Sequence, residues 1–166
     1  MYERDLNNNL RIEGAEIWSL NFSGRPNQYN REGDRNFCME FDVELGDILK
    51  KEGWNVKYHR DRDTDEPVSA YINVAVNYNV KNPRLRPKIY VISGGRKTLL
   101  NEDTVAAIDG YDIVTNENGR MIADIEIRPR EWEMRDGKKG VKAYLSEMYV
   151  TVNESKFARK YADFDD

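Results

Sequence analysis

The sequence over residues 125–152 constrains the fold more than any other stretch of the chain. Two runs of alternating apolar residues flank Asp136-Gly137, and an Asp-Gly pair between such runs is a strong signal of a β-hairpin. The apolar pattern changes parity across Pro129, so this proline predicts an edge position or a bulge. A second change of parity, near Ser146-Glu147, predicts a bulge in the other strand. The sequence therefore predicts a long, bent hairpin.

Basic and aromatic side chains are interleaved along this hairpin. The cations are Arg128, Arg130, Arg135, Lys138, Lys139 and Lys142, and the rings are Trp132, Tyr144 and Tyr149. This combination suits a single nucleic-acid strand, since Lys and Arg neutralise phosphates while aromatic rings stack on bases. The alternative is a well-solvated hairpin whose aromatic residues belong to the core.

Composition limits the class of protein. The chain has 166 residues, of which 39% are hydrophobic and 34% charged, and this predicts one polar globular domain with a proper core. No apolar run approaches the ~20 residues of a membrane span, and no signal peptide opens the chain. One Cys and one His exclude an internal disulfide and argue against a zinc site. We therefore expect a cytoplasmic protein without a metal, a cofactor or a membrane partner.

Several short motifs are tested and set aside. Asp61, Asp63 and Asp65 have the spacing of a calcium loop, but Glu66 replaces the required glycine. The sequence Gly-Gly-Arg-Lys-Thr at 94–98 lacks a glycine before its lysine, so it predicts a basic turn and not a phosphate loop. His59 has no evident catalytic partner and is predicted to be a surface residue, whereas Cys38 is predicted to be buried. We expect no enzyme, although abundant carboxylates leave a metal-dependent nuclease as an alternative.

The predicted elements indicate a mostly β fold. Alternation predicts a first strand over 10–22 with a bulge or a strong bend, and further strands over 36–42, 54–58, 70–78 and 88–93. Short helices are predicted over 43–52, with Leu45, Ile48 and Leu49 inward, and over 102–109, with Asn101 as N-cap. These helices are too short for parallel crossovers, so the sequence favours a small antiparallel barrel of the OB-fold type. A β-sandwich is the alternative.

The two signs of charge are segregated along the chain, although the net charge is −4. Basic residues gather at 84–97 and 128–142, which predicts a basic groove on one side of the barrel. Ordinary mixed surface charge is the alternative. The predicted phosphate contacts are Arg25, Arg31, Arg35, Arg96, Lys97, Arg128, Lys138, Lys139 and Lys142. The predicted stacking rings are Tyr29, Tyr71, Trp132 and Tyr144, whereas Trp18 and Trp54 are assigned to the core on parity.

The last residues of the chain form a separate, acidic segment. We expect one domain over 1–153 followed by a flexible tail over 154–166. The tail ends on Asp163, Phe164, Asp165 and Asp166, and acids around one aromatic ring suit capture by a basic, apolar pocket on a partner. A frayed terminus without a partner is the alternative.

Together, the basic-aromatic hairpin and the acidic-aromatic tail resemble phage-encoded single-stranded DNA-binding proteins. The resemblance spans most of residues 10–152, and three stretches carry it: Asn21-Phe22-Ser23-Gly24 through Arg35-Asn36-Phe37-Cys38; Gly53-Trp54-Asn55-Val56-Lys57; and Ile127-Arg128-Pro129 through Trp132-Glu133 to Gly140-Val141-Lys142-Ala143-Tyr144-Leu145. It implies an OB-fold with an acidic tip. The tail lacks the terminal Pro-Phe of the bacterial proteins, which counts against bacterial-type tip receptors.

Residues and resemblance together predict a protein that binds single-stranded DNA without strong sequence preference, in phage DNA replication or recombination. The location implied is the host cytoplasm, with replication or recombination proteins as partners of the tail. A homo-oligomer is left open. The rival hypothesis is a β-sandwich interaction or virion protein that has no nucleic-acid role.

Overall fold

A computed structural model of the chain describes residues 2–28 and 30–153. It has nine strands and one α-helix over the described residues. The strands are β1 (Tyr2–Arg4), β2 (Leu10–Asn21), β3 (Arg35–Phe41), β4 (Lys57–Arg60), β5 (Pro67–Val76), β6 (Lys88–Ser93), β7 (Arg96–Leu100), β8 (Ile122–Glu133) and β9 (Lys139–Thr151), and helix α1 is Val43–Lys51. Two 3₁₀ helices occupy Pro83–Leu85 and Val105–Gly110. Within these ranges no helix is long and apolar enough to cross a membrane.

Five of the strands form a closed barrel. Antiparallel pairing joins β5 to β3, β3 to β2, β2 to β8 and β8 to β9. A parallel contact between Ala75 of β5 and Tyr144 of β9 then closes the ring. This confirms the OB-type barrel expected from the sequence, and the β-sandwich alternative is wrong because one ring of strands encloses the core.

The β8–β9 hairpin has the predicted bulge. Glu126 pairs with Glu147 but Ile127 pairs with Leu145, so Ser146 is an extra residue in β9. Because of it, Val141, Ala143 and Leu145 face the core on one side of the bulge, and Met148 and Val150 face it on the other. In β8, the described pairing with β2 ends at Ile127. Pro129 therefore lies on an edge and not at a bulge.

The first barrel strand bends at two irregular points. The register shifts between Ile12 and Ala15 against β8, and between Trp18 and Asn21 against β3. The second shift contains Ser19, whose φ of 54° lies in the left-handed region. This confirms a bend in the first strand but makes the assignment of Trp18 to the core wrong: Ile17 is 2% exposed and faces the core, whereas Trp18 is only half-buried. Trp54, at 4% exposed, is a core residue as predicted.

A small sheet extends from the barrel beyond the second half of β9. Strand β6 runs parallel to β9 from Lys88 to Ile92, and β7 pairs antiparallel with β6. The sequence predicted a basic turn at 94–98, but only Gly94-Gly95 turns there and the residues from Arg96 onward form β7. The N-terminal residues include β1, which pairs with β2 and has no counterpart among the strands predicted from the sequence.

Helix α1 covers one side of the barrel next to β5. Asp42 caps its start by accepting a hydrogen bond from the backbone N–H of Leu45 at 2.7 Å, and Gly53, with a φ of 98°, follows its end. Leu45 and Leu49 are buried as predicted, but Ile48 is 39% exposed and the prediction that it faces inward is wrong.

Three smaller expectations also change. The predicted second helix is a 3₁₀ helix that starts at Val105, because Asn101 caps a preceding turn through the backbone N–H groups of Asp103 and Thr104. The strand predicted over 54–58 lies further along the chain, since β4 begins at Lys57 and continues through His59. Cys38 faces outward from β3 and is half-buried, so the prediction that it is buried is wrong. Burial is the main cause that raises the pKa of its thiol.

The contact between α1 and β5 predicts a sharp effect of one substitution. A Cβ atom built at Gly46 lies 2.6 Å from Cβ of Ala70, so a side chain there forces the helix off the sheet. We expect Gly46→Val to lower the free energy of unfolding by about 2 kcal/mol, measured by urea denaturation. Glu44→Val, on the exposed side of the same helix, is the matched control and should cost a few tenths. Equal midpoints for both variants would contradict this packing.

Candidate nucleic-acid interface

A groove of about 730 Å³ crosses the outer surface of β3, β5 and the first half of β9. Residues 33–34 of the loop between β2 and β3 line one end, and Trp132, near the turn between β8 and β9, lines the other. Since oligonucleotides bind OB-folds on the face of the second and third barrel strands, here β3 and β5, and between the loops that precede the second and fifth strands, the position of this groove matches such a site.

Strand alternation points three residues of β9 into the groove. Because Val141 and Ala143 face the core, Gly140, Lys142 and Tyr144 face outward and line the groove. The guanidinium carbon of Arg128 lies 5.5 Å from the centre of the Tyr144 ring, and Nζ of Lys142 lies 5.3 Å from it. A ring with two cations close to it brings aromatic surface and positive charge to the same place.

The indole of Trp132 lies across Gly140. These residues face each other in the β8–β9 pairing, and a Cβ atom at Gly140 would approach the indole Cζ2 atom to 2.7 Å. Only glycine at this position therefore lets the ring lie flat on the strand. The ring is still 44% exposed, so it is held in place without being part of the core.

Side-chain hydrogen bonds hold the loop over residues 22–34. The side-chain amide of Asn30 donates to the carbonyl oxygens of Arg25 at 3.0 Å, Arg31 at 3.1 Å and Asp34 at 2.8 Å. The carboxylate of Asp109 accepts from the backbone N–H of Phe22 at 2.8 Å. These bonds hold the described residues of the loop, 22–28 and 30–34, beside the groove, and the side chains of Arg25 and Arg31 are exposed.

Arg35 lines the groove but is already engaged. Its Nε donates to the carbonyl of Phe22 at 3.0 Å, Nη2 donates to the carbonyl of Glu102 at 3.4 Å, and its side chain is 18% exposed. The guanidinium also lies 5.5 Å from the centre of the Tyr78 ring. Burial raises the pKa of Tyr78 to about 12, so this ring is neutral beside the arginine. Arg35 therefore holds the loop to the barrel as well as adding charge.

Asparagine side chains form much of the floor of the groove, a feature that the sequence analysis did not select. Four of them line it: Asn36, Asn55, Asn73 and Asn77. The polar face of the strand over 70–78 was a signal for two of them. The other two come from β3 and from the segment before β4, and no local pattern brings them to the same surface. The floor is thus polar but uncharged.

The structure brings together part of the predicted set. Arg35, Trp132, Lys139, Lys142 and Tyr144 line the groove, and Arg128 reaches it through the ring of Tyr144. Lys138 lies on the exposed turn next to it, and Arg25 and Arg31 lie on the 22–34 loop. Arg96 and Lys97 are in β7, where Nζ of Lys97 lies 4.8 Å from the centre of the Tyr90 ring, outside the groove lining. Tyr29 and the tail residues 163–166 fall outside the described residues.

Tyr71 lies just beyond the groove on the outer face of β5. Its ring stacks on His59 with centroids 4.6 Å apart and meets the edge of Trp18 at 5.0 Å. Sequence reasoning selected Tyr71 but missed both partners. Trp18 was placed in the core because the parity switch at Ser19 could not be located from the alternation alone.

Charge separates this groove from the other large cavity. Its described lining contains three cations, Arg35, Lys139 and Lys142, and one acid, Asp34. The other cavity, of about 660 Å³ between β1, β2, β8 and β9, is lined by Glu3, Glu13, Asp124, Glu126 and Glu147 with Arg11. Arg11 bonds Glu126 at 2.7 Å. An anionic ligand is therefore expected in the groove across β3, β5 and β9, and not in the cavity beside β1.

Comparisons with known proteins concern the family and the fold of the chain. A family model described as a phage ssDNA-binding domain matches residues 2–166. Two solved structures share the fold, both at 12% sequence identity. The first is the single-stranded DNA-binding protein from bacteriophage Enc34 in complex with ssDNA (TM-score 0.52, covering 95% of this chain and 97% of that one). The second is its C-terminal truncation (TM-score 0.51, 93% and 96%). A comparison with curated proteins finds no match.

The contact between Trp132 and Gly140 predicts that a side chain at position 140 increases the exposure of the indole. In Gly140→Ala the new methyl group occupies the position of the indole, so the ring must lift from β9. We expect stronger quenching of tryptophan fluorescence by acrylamide, with an unfolding midpoint close to that of the wild type because the ring is outside the core. Glu131→Ala, at an exposed position of β8 next to Trp132, is the control. Unchanged quenching in Gly140→Ala would contradict the contact.

Proposed function

We propose that this chain, which belongs to the family of phage single-stranded DNA-binding domains, holds one DNA strand in the groove across β3, β5 and β9. The observation that carries the proposal is the exposed indole of Trp132, fixed on Gly140 beside Lys139 and Lys142. A ring and two cations at one groove mouth provide both interactions that a single strand requires. The binding acts in phage DNA replication or recombination.

Base stacking supplies the contacts that do not depend on sequence. Trp132 and Tyr144 each present an aromatic surface, and every base has a face that can stack on it, at about 1–3 kcal/mol per base. Tyr71 extends this set along β5. Duplex DNA has its base faces covered by neighbouring bases, so the same groove discriminates against it. We therefore propose little preference among sequences and a strong preference for single strands.

Positive charge supplies the salt-dependent part of the affinity. The cations proposed to contact phosphates are Lys139 and Lys142 in the groove, Lys138 on the turn and Arg128 beside Tyr144. Arg25 and Arg31 border the path on the 22–34 loop. Each phosphate neutralised releases counterions, so affinity falls as salt rises. Arg96 and Lys97 lie outside the groove lining, so in this proposal they attract the DNA over a longer range and contact no phosphate.

The role is that of a binding protein and not an enzyme. Family membership supports this, since its description names DNA binding alone. The acidic residues of the tail, Asp163, Phe164, Asp165 and Asp166, are proposed to recruit replication or recombination proteins. Phage DNA replicates inside the host, so we place the protein in the host cytoplasm.

Replacing the exposed indole tests the stacking proposal. We expect Trp132→Ala to weaken binding of a labelled oligothymidine by about 1–3 kcal/mol, measured by fluorescence anisotropy, with little change in melting temperature because the ring is 44% exposed. Glu131→Ala should bind as the wild type does. A large loss of stability in Trp132→Ala would place the ring in the core instead. Wild-type protein that binds duplex as well as single strands would contradict the function.

Removing one groove cation tests the electrostatic part. The slope of log affinity against log salt should become shallower by about 0.7 in Lys142→Ala, the value for one phosphate contact on a single strand. The same titration of Lys97→Ala should keep the wild-type slope, since Lys97 lies against Tyr90 outside the groove. Equal slopes for wild type and Lys142→Ala would show that Lys142 contacts no phosphate.

A further inference from the structure

A buried carboxylate lies on the same outer face of the barrel as the groove. Glu40 is 8% exposed, and its Oε1 atom accepts a hydrogen bond from Nε1 of Trp18 at 2.9 Å. Nε2 of His59 lies 3.0 Å from the same oxygen. Because a carboxylate oxygen only accepts, Nε2 carries the hydrogen and donates it. One oxygen thus fixes the orientation of two rings that come from strands far apart in the sequence.

The two rings and Tyr71 form one aromatic cluster. His59 stacks on Tyr71 with centroids 4.6 Å apart and planes at 23°, and Trp18 meets both rings, at 5.9 Å from His59 and 5.0 Å from Tyr71. His59 is the outermost member, since 46% of its side chain is exposed although one ring face rests on Tyr71. A flat ring that is oriented, supported and still exposed is a surface on which another ring can stack.

The cluster continues the floor of the groove. Outward-facing residues of β5 run from Ala75, which pairs with Tyr144, through Asn73 to Tyr71. Ala75 and Tyr71 are four positions apart, a distance of about 13 Å along an extended strand. A strand of DNA that leaves the ring of Tyr144 and follows β5 therefore arrives at His59 after crossing the amide floor.

A cation lies at this end as well. Lys57 pairs with Tyr71 across β4 and β5, so both side chains lie on the outer face. Lys57 is exposed, and no described salt bridge engages it. Tyr71 in turn pairs with Glu40 of β3, so Lys57, Tyr71 and Glu40 form one row across the outer face. Ring and cation thus recur here in the combination found at the groove mouth.

We propose that His59, supported by Tyr71 and oriented by Glu40 and Trp18, is a second base-stacking platform at the far end of the groove, with Lys57 as its phosphate contact. The proposal rests on the proposed function and extends its site from one stacking end to two. The base stacks on the exposed face of His59 with Tyr71 beneath that ring, whereas Glu40 and Trp18 are positioning residues. A long strand engages both ends, and a short strand engages only the end at Trp132, where the cations are concentrated.

The single histidine of the chain makes the platform directly observable. In proton NMR of the untagged protein, the ring signals of His59 are assigned without ambiguity. We expect an upfield shift when an oligothymidine of about 12 nucleotides is added, and a much smaller one with about 4 nucleotides, lengths that span the usual site size of an OB-fold. Stacking of a base on the imidazole causes the shift.

Three substitutions at position 59 separate stacking from a structural role. His59→Ala should weaken binding of the long oligomer by about tenfold, within the range for one stacked base, and leave the short one unchanged. His59→Phe keeps a ring and should bind nearly as the wild type does. His59→Gln keeps a hydrogen-bond donor for Glu40 but has no ring, so it should behave as His59→Ala does. If orientation of Glu40 were the cause, Gln would restore binding and Phe would not.

The outcomes are distinct. The expected shift together with loss in His59→Ala and recovery in His59→Phe supports the platform. Wild type that binds the long oligomer with no shift of His59, and variants that bind equally well, would overturn it while the groove function stands. Wild type that binds neither oligomer would overturn the proposed function and the platform together. Trp132→Ala, which should weaken both lengths, is the reference variant for the first end.

Discussion

The structure depends on the bulge that Ser146 introduces into β9. A strand of thirteen residues in strict alternation would turn one half of its apolar side chains away from the core. The extra residue restores the inward face on both sides, so the first half of β9 closes the barrel at Tyr144 and the second half carries β6. The same geometry fixes which residues face outward. Gly140, Lys142 and Tyr144 line the groove because their neighbours are needed inside.

Net charge is a poor guide to the ligand of this protein. The chain carries −4 overall, yet the groove and the cavity beside β1 have linings of opposite charge. The acids that line the cavity at β1 lie on another part of the barrel surface, and the groove contains one acid beside three cations. Over a Debye length of about 8 Å at physiological salt, a bound strand responds mainly to the charges next to it. The distribution of charge on the surface therefore determines where an anionic strand is attracted, and the net charge matters only at low salt.

The sequence predicted the positions of the strands better than it predicted which side chains on different strands contact each other. Alternation located most strands, Asp136-Gly137 located the hairpin, and the interleaved cations located the groove mouth. The position predicted for Trp18 was wrong because a single left-handed residue, Ser19, reverses the inward and outward alternation of the strand. Serine gives no local signal of that conformation. The contact between Glu40 and His59 was missed for another reason: it depends on the order of strands in the barrel, which alternation does not encode.

Not every cation near the groove is free to pair with a phosphate. Arg35 lines the groove, but its Nε and one terminal nitrogen already donate to the carbonyls of Phe22 and Glu102, and releasing them would loosen the 22–34 loop. Lysines 139 and 142 have no such backbone bonds in the described structure, and their flexible stems can follow a moving strand. Counterion release counts only charges that are newly neutralised. Under the proposed function, the salt dependence of binding is therefore expected to reflect mainly Lys139 and Lys142 of β9, which lie beside Trp132 and Tyr144.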